Sequence, residues 1–220
     1  MEDAKKPDIT LYSARTPNGI KISIALEELG LPYKVHKIEL QKNVQKEDWF
    51  VEINPNGRIP AITDTFTDGK TIQLFESGCI LQYLVDQYDR DYKLSYPKGT
   101  RESYEMSSWL FFQNSGVGPM QGQVNHFLHS APERIEYSIN RYTNETKRLY
   151  SILDKHLSAS KSGYFVDDHI SIADISHIGW VNAAGWAKID VDEFPHLKQW
   201  KERMLERPAV EKGRQVPADG

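Results

Sequence analysis

The chain has 220 residues, 39% of them hydrophobic and 26% charged, which suits one large or two small soluble domains. A net charge of −4 without a basic stripe speaks against nucleic-acid binding, and no apolar run approaches the roughly 18 residues of a membrane span. The polar start MEDAKKPD is no signal peptide, and a single cysteine excludes an internal disulfide framework and fits a reducing compartment, most simply the cytosol.

The first element is a short strand over Ile9–Ser13, followed by a Thr-Pro-Asn-Gly turn. Apolar Ile20, Ile22, Ile24, Ala25 and Leu29 then predict a helix over 18–29, stopped by Gly30. Alternation over 33–40 reads as a second strand, and 48–53 as a short helix broken by Asn54-Pro55-Asn56-Gly57. Strands over 61–66 and Thr71–Phe75 flank a Thr67-Asp68-Gly69-Lys70 turn, a hairpin signal. A helix over Ser77–Tyr88 closes the first unit, whose order is βαβ-α-ββα with the first two strands parallel. The polar stretch 89–100, with Pro97 and Gly99, reads as containing the linker between domains of 1–90 and 101–220. Beyond it only helical patterns remain, over 102–112, 132–157, 172–187 and 195–207, and the tail after Pro208 is expected to be ragged. The fold class is therefore α/β followed by all-α. In HISIADIS, Ser171 and Asp174 have the spacing of a capping box, with Ile170 and Ile175 as the staple, which is folding machinery rather than chemistry.

Three stretches converge if the first unit is a compact sheet with flanking helices: Thr16-Pro17-Asn18-Gly19, Asn56-Gly57-Arg58-Ile59-Pro60-Ala61-Ile62, and Phe75-Glu76-Ser77-Gly78. Base rates favour a trans Ile59–Pro60 bond, whereas a cis bond would present the Ile59 main chain to a peptide as an added strand. Ser77 is either a plain N-cap or, with the free N–H groups of its helix, a receptor for a ligand carboxylate. Glu76 beside it suits an ammonium group, so the pair has the chemistry of an amino-acid end. Asn18 is an N-cap candidate at its own helix start. Cys79, in Ser-Gly-Cys-Ile-Leu, is expected to be buried as a small apolar residue. The histidines 126, 129, 156, 169 and 177 have no metal-like spacing, so no metal is expected.

Together the element order, Arg-Ile-Pro-Ala-Ile, Glu-Ser-Gly and Ser-Ile-Ala-Asp resemble a cytosolic glutathione transferase over roughly 9–210, nearly the whole chain. TPNGIKISIALEELGLPY, INPNGRIPAITD, LFESGCILQYL and WLFFQNSGVGPMQGQVNHF resemble the fungal class related to the yeast nitrogen-regulator prion protein. The last segment also resembles the bacterial nu class. The resemblance implies an N-terminal thioredoxin-like domain that binds glutathione, followed by an all-helical domain. It implies that Glu76 and Ser77 hold the γ-glutamyl end and that Ile59, before a cis Pro60, pairs with the cysteinyl backbone. The glycine carboxylate falls to Gln45, where the yeast relative has a histidine. It also implies a cytoplasmic homodimer, with Phe112, Gln113, Met120, Asn125 and Phe127 as acceptor-site candidates and Gln113 reaching toward the partner's glutathione.

Glutathione brings its own thiol, so the protein needs only to favour the thiolate. A thiol of ordinary acidity is ~3% ionised at pH 7, and lowering its pKa by about two units makes it ~75% ionised, worth about 2.7 kcal/mol. An Asn18 amide donor at a helix N-terminus suits that task, and Gly19 admits a close approach. Tyr12, Ser13 and Thr16 are rivals in the same turn, and Arg15 either adds charge near the sulfur or is solvated. The implied activity is transfer of the thiolate to electrophiles, as in detoxification, and to disulfide or glutathionyl substrates. A non-enzymatic regulator or a carrier of hydrophobic ligands is the alternative. The yeast relative carries a long Asn/Gln-rich segment before its fold, and here eight residues precede the first strand, so the enzyme reading is preferred.

Overall fold

The computed structural model describes residues 6–218. Two compact units divide them: 6–90 together with 208–218, and 91–207. No described helix is long and apolar enough to cross a membrane.

The first unit is a four-stranded sheet of order β2-β1-β3-β4, built from β1 (Ile9–Ser13), β2 (Tyr33–Lys37), β3 (Ala61–Thr65) and β4 (Thr71–Phe75). β1 and β2 are parallel, Leu11 facing Val35, as a helical crossover requires. β3 runs antiparallel to β1, and β4 to β3 as a hairpin with Ile62 facing Leu74. β2 is shorter than its alternation suggests; the chain leaves it at Lys37 and passes through 3-10 turns at Leu40–Lys42 and Val44–Lys46. α1 (Gly19–Leu29) presents Ile22, Ile24, Ala25 and Leu26 to the core and stops at Gly30 in the left-handed region, φ 64°. α2 (Asp48–Val51) is a single turn carrying buried Phe50, and α3 (Ser77–Tyr88) packs on α1. This is the expected thioredoxin-like α/β arrangement.

Over its described residues the tail after Pro208 is not ragged. It forms α9 (Pro208–Gly213), which lies against α1 and returns the chain to the first unit, so the helical unit closes at Arg207 rather than at 220. Gly213 makes this close approach possible: a Cβ there would stand 2.6 Å from the Ile24 backbone. Ser23 Oγ donates to the Gly213 carbonyl at 2.7 Å.

The second unit comprises α4 (Arg101–Phe112), α5 (Gly118–His129), α6 (Glu136–Ala159), α7 (Ile172–Asn182) and α8 (Pro195–Leu205). Between α4 and α5 the chain makes one π turn, Gln113–Val117. Residues 91–100 are irregular but laid onto this unit: Leu94 and Tyr96 are buried, and the Leu94 carbonyl accepts the Ile172 N–H at 2.9 Å. The capping box forms, with the Ser171 N–H donating to Asp174 Oδ2 at 2.9 Å. α7 ends at Asn182, short of 187, and continues as a 3-10 turn over Ala184–Ala187.

Candidate functional site

The three sequence stretches meet in one cleft. Its lining is Thr16, Asn18, Leu40, Gln45, Asn56, Arg58, Ile59, Pro60, Glu76 and Ser77, around about 520 Å³, within the range of small-molecule sites. Asn18, Gln45, Ile59, Pro60, Glu76 and Ser77 are thus brought together in the first unit.

Each lining residue is held by its local chain. Thr16, not Asn18, caps α1: Thr16 Oγ1 accepts the Gly19 N–H at 3.1 Å, and Asn18 makes no side-chain capping bond. Asn18 therefore stands at the positive end of α1 with its amide uncommitted to the cap. Gly19 follows because nothing larger fits: a Cβ would lie 2.1 Å from the Ala14 carbonyl oxygen. Tyr12 is drawn elsewhere, its ring 5.4 Å from His36 and 6.3 Å from Trp49 and Phe50, outside the cleft lining. Ser13 is buried and its hydroxyl donates to the Ala14 carbonyl, while Arg15 reaches Gln215 Oε1 at 3.4 Å.

The Ile59–Pro60 bond is cis, against the base rate for such bonds. The loop before it is braced by Asn54, whose Nδ2 donates to the Arg58 carbonyl at 2.6 Å. Gly57 adopts φ 58°, where a Cβ would come within 2.9 Å of the Gln45 carbonyl oxygen. Gln45 Oε1 is buried without a hydrogen-bond partner, an acceptor waiting for a donor.

Glu76 is the N-cap residue of α3, at φ 65° and ψ 113°, a conformation non-glycine residues rarely take and one that accumulates at ligand sites. Its carboxylate is exposed beside the free N–H groups of the first turn. Ser77 is the first residue of α3 rather than its cap. Its Oγ accepts from Lys21 Nζ at 3.2 Å. Lys21 escaped the sequence reading; it is only 1% exposed, and burial lowers its pKa to about 7 against the opposing pull of Glu76. Arg58, which does line the cleft, entered the sequence reading only as part of a motif.

Cys79 is exposed, contrary to expectation. The buried face of α3 carries Ser77, Ile80, Leu81, Leu84 and Val85, and position 79 falls on the opposite side. Its thiol is pushed up by partial burial and by Glu76, the reverse of an activated thiol.

The acceptor candidates lie in the second unit. Phe112 packs edge-on to Trp109 at 5.5 Å and parallel to His177 at 6.5 Å. Gln113 is buried in the π turn, 1% exposed, and not presented at a surface as its expected reach to a partner requires. Met120 borders a separate hollow with Tyr137, Arg141 and Tyr142. Phe127 stacks on Tyr142 at 5.7 Å, and Asn125 buries an unpartnered Oδ1. Among the described residues no group of three His, Cys, Asp or Glu is arranged to hold a metal.

Comparison with known proteins agrees with this geometry. The family model "Glutathione S-transferase, N-terminal domain" matches residues 7–86, and "Glutathione S-transferase, C-terminal domain" matches 120–208. The chain is 44% identical to disulfide-bond oxidoreductase YfcG of Escherichia coli, over 92% of each chain. Among solved structures it resembles a glutathione transferase homolog from Lodderomyces elongisporus that holds two glutathione molecules per subunit, with TM-score 0.92 and 48% identity over 96% of this chain and 99% of that one. It also resembles the glutathione transferase URE2P6 of Phanerochaete chrysosporium in complex with oxidized glutathione, with TM-score 0.86 and 40% identity over 97% and 96%.

Proposed function

Because this chain belongs to the glutathione S-transferase family through both its N- and C-terminal domains, we propose that its cleft binds glutathione and delivers the thiolate to disulfide, glutathionyl and electrophilic carbon substrates. The observation that carries the reading is the convergence of Asn18, Ile59–Pro60, Glu76 and Ser77 on one cleft of tripeptide size. Glu76 takes the γ-glutamyl ammonium, and the Ser77 hydroxyl with the α3 N-terminus takes the α-carboxylate. The Ile59 main chain pairs with the cysteinyl residue. Gln45 and Arg58 meet the glycine end, the cation facing its carboxylate. Asn18, at the start of α1, donates to the sulfur. Thiol–disulfide exchange needs only that thiolate, which attacks one sulfur of the substrate while the other leaves with the electron pair. This fits a cleft without a cysteine of its own.

The disulfide oxidoreductase among its relatives and the glutathione disulfide bound by a neighbour favour disulfide chemistry over conjugation alone. A reducing, cytoplasmic compartment and a homodimer complete the proposal, from the cysteine count and the family resemblance respectively. The regulator or carrier reading requires binding without turnover. Glutathione-dependent turnover of a mixed disulfide and of an aryl halide, side by side, tests this. Disulfide turnover is expected to exceed conjugation. Measurable glutathione binding with neither turnover would replace the enzyme with a carrier or regulator.

A further inference from the structure

The loop 54–58, between α2 and the cleft residue Ile59, is closed by one side chain. Asn54 is only 2% exposed and stands outside the cleft lining, yet hydrogen bonds from both ends of the loop converge on it. Its Oδ1 accepts the Asn56 N–H at 3.0 Å, its main-chain carbonyl accepts the Gly57 N–H at 2.8 Å, and its Nδ2 donates to the Arg58 carbonyl at 2.6 Å. Its own N–H donates to the Phe50 carbonyl of α2 at 2.8 Å. These partners fix which way the amide is turned, because its oxygen meets a donor and its nitrogen an acceptor.

The bond to the Arg58 carbonyl has a consequence on the other side of the same peptide. In a trans peptide the C=O and the following N–H lie in one plane and point in opposite directions. The Arg58–Ile59 peptide is trans. Its carbonyl points at the buried Asn54 amide, so its N–H, that of Ile59, points the opposite way. Among the described residues this N–H meets no acceptor of the chain. The Ile59 side chain packs against Ile38, Phe50 and Ala61, which leaves its main chain for the cleft that it lines. A backbone N–H without an acceptor at a cleft wall is a donor offered to a ligand.

A loop peptide has two settings, and turning it over exchanges the places of its C=O and N–H. Turned over, the Arg58–Ile59 peptide would offer the cleft an acceptor, which cannot pair with a carbonyl of the ligand. The Asn54 Nδ2–H group selects the other setting, because a carbonyl accepts from it and an N–H cannot. Asn54 does not follow the peptide if it turns. Its oxygen is held by Asn56, and its main chain by Phe50 and by Gly57, which takes the φ of 58° that the turn needs.

We propose that Asn54 is a positioning residue for the cysteinyl group of glutathione: it holds the Arg58 carbonyl inward, so that the N–H of the same peptide, on Ile59, donates to the cysteinyl carbonyl in the cleft. This rests on the glutathione reading and adds to it a residue that touches no ligand. The cysteinyl group carries the sulfur, so the same bond sets where the thiol stands along the cleft.

Three S-methylated ligands separate this role from general bracing of the loop. S-methylglutathione is complete, S-methyl-γ-glutamylcysteine keeps the cysteinyl carbonyl oxygen but lacks glycine, and S-methyl-γ-glutamylcysteamine lacks both. Titration calorimetry on the full chain compares them in the wild type and in Asn54→Asp, which keeps the size and the acceptor for Asn56 but loses the donor to Arg58. The Asp variant is expected to bind the first two about tenfold more weakly than the wild type, the worth of one hydrogen bond. Its Kd for the third should stay within about twofold of the wild type's. Asn54→Ser, whose hydroxyl closes the turn to Asn56 but does not reach Arg58, should show the same pattern. In the wild type itself, where no variant has to fold, the Ile59 amide proton resonance should move downfield with the first two ligands and stay in place with the third. An equal loss for all three ligands would reduce Asn54 to a brace, and a loss confined to S-methylglutathione would move the effect to Arg58 and the glycine end. Either result, or an Ile59 resonance that responds alike to all three, would overturn the role of Asn54 while leaving glutathione binding intact. Failure of S-methylglutathione to bind the wild type would instead overturn the glutathione reading itself.

Discussion

An amide nitrogen at a helix N-terminus stabilises a thiolate with one donor and the positive end of the dipole, and both act only on the ionised sulfur. Asn18→Ala should therefore lower disulfide turnover about tenfold at pH 7, the equivalent of one pKa unit of lost stabilisation, and much less at pH 9, where the thiol ionises unaided. A pH–rate profile parallel to that of the wild type would remove Asn18 from the chemistry. Gly19→Ala acts on the same turn by sterics. Its Cβ would meet the Ala14 carbonyl at 2.1 Å, so the turn must open, and both thermal stability and glutathione affinity should fall in the same protein. Unchanged affinity on isothermal titration would mean that the turn does not place Asn18. Asn18, Glu76 and Ser77 were legible because turns and helix starts have local chemistry that a sequence displays. Lys21 was not. A lysine between Ile20 and Ile22 looks solvated until folding sets Ser77 of α3, 56 residues later, against its Nζ. Cys79 misled for the opposite reason, since apolar neighbours suggested a core position that the 100° advance per helical residue denies it.

The first turn of α7 shows the same contrast between elements. Ser171 and Asp174 announce a capping box by spacing alone, and the box forms. What spacing does not announce is that Asp174, fully buried, also accepts the Phe165 N–H at 3.0 Å and Trp200 Nε1–H at 2.8 Å. A single carboxylate thus ties α7 to α8 and to the loop before it. Burial raises its pKa, and these donors oppose the rise. Asp174→Ala strands several buried donors and should destabilise the protein by about 3 kcal/mol or more in urea unfolding. A loss below about 1 kcal/mol would mean that water or a neighbouring carbonyl replaces the carboxylate. α9 lay beyond sequence reasoning because a six-residue helix has no stability of its own. Its contacts with Ser23 and Ile24 make it a helix, and no local pattern records them.

At the scale of the whole molecule, the order of elements along the chain and the change from mixed to helical patterns were readable, because periodicity of two and of 3.6 residues is imposed by burial on one face. The return of the last residues to the first unit was not, since it depends on a surface that exists only once α1 is folded. That unit has an acid–base consequence that global unfolding can report. Its Lys21 is depressed to about 7 in the folded chain from 10.5 in the open one, so between these values the unfolded chain binds more protons and stability rises with pH. Tyr33, Tyr83 and Tyr88, in the same unit, are raised, first by burial and then by bonds to Glu27 and Asp64. Their contribution is fully present below the ordinary tyrosine value near pH 10 and is lost as pH climbs through their folded values. The ligand-free first unit should therefore gain stability from pH 7 to about 10 and lose it above. Urea unfolding at pH 7, 8 and 9 should show a midpoint that increases with pH in the wild type. In Lys21→Met the midpoint should be nearly level and higher at pH 7, because an apolar side chain replaces a buried charge. A wild-type midpoint that stays flat or falls over this range would mean that Lys21 remains an ammonium in the free protein, held by a partner stronger than Glu76 and Ser77.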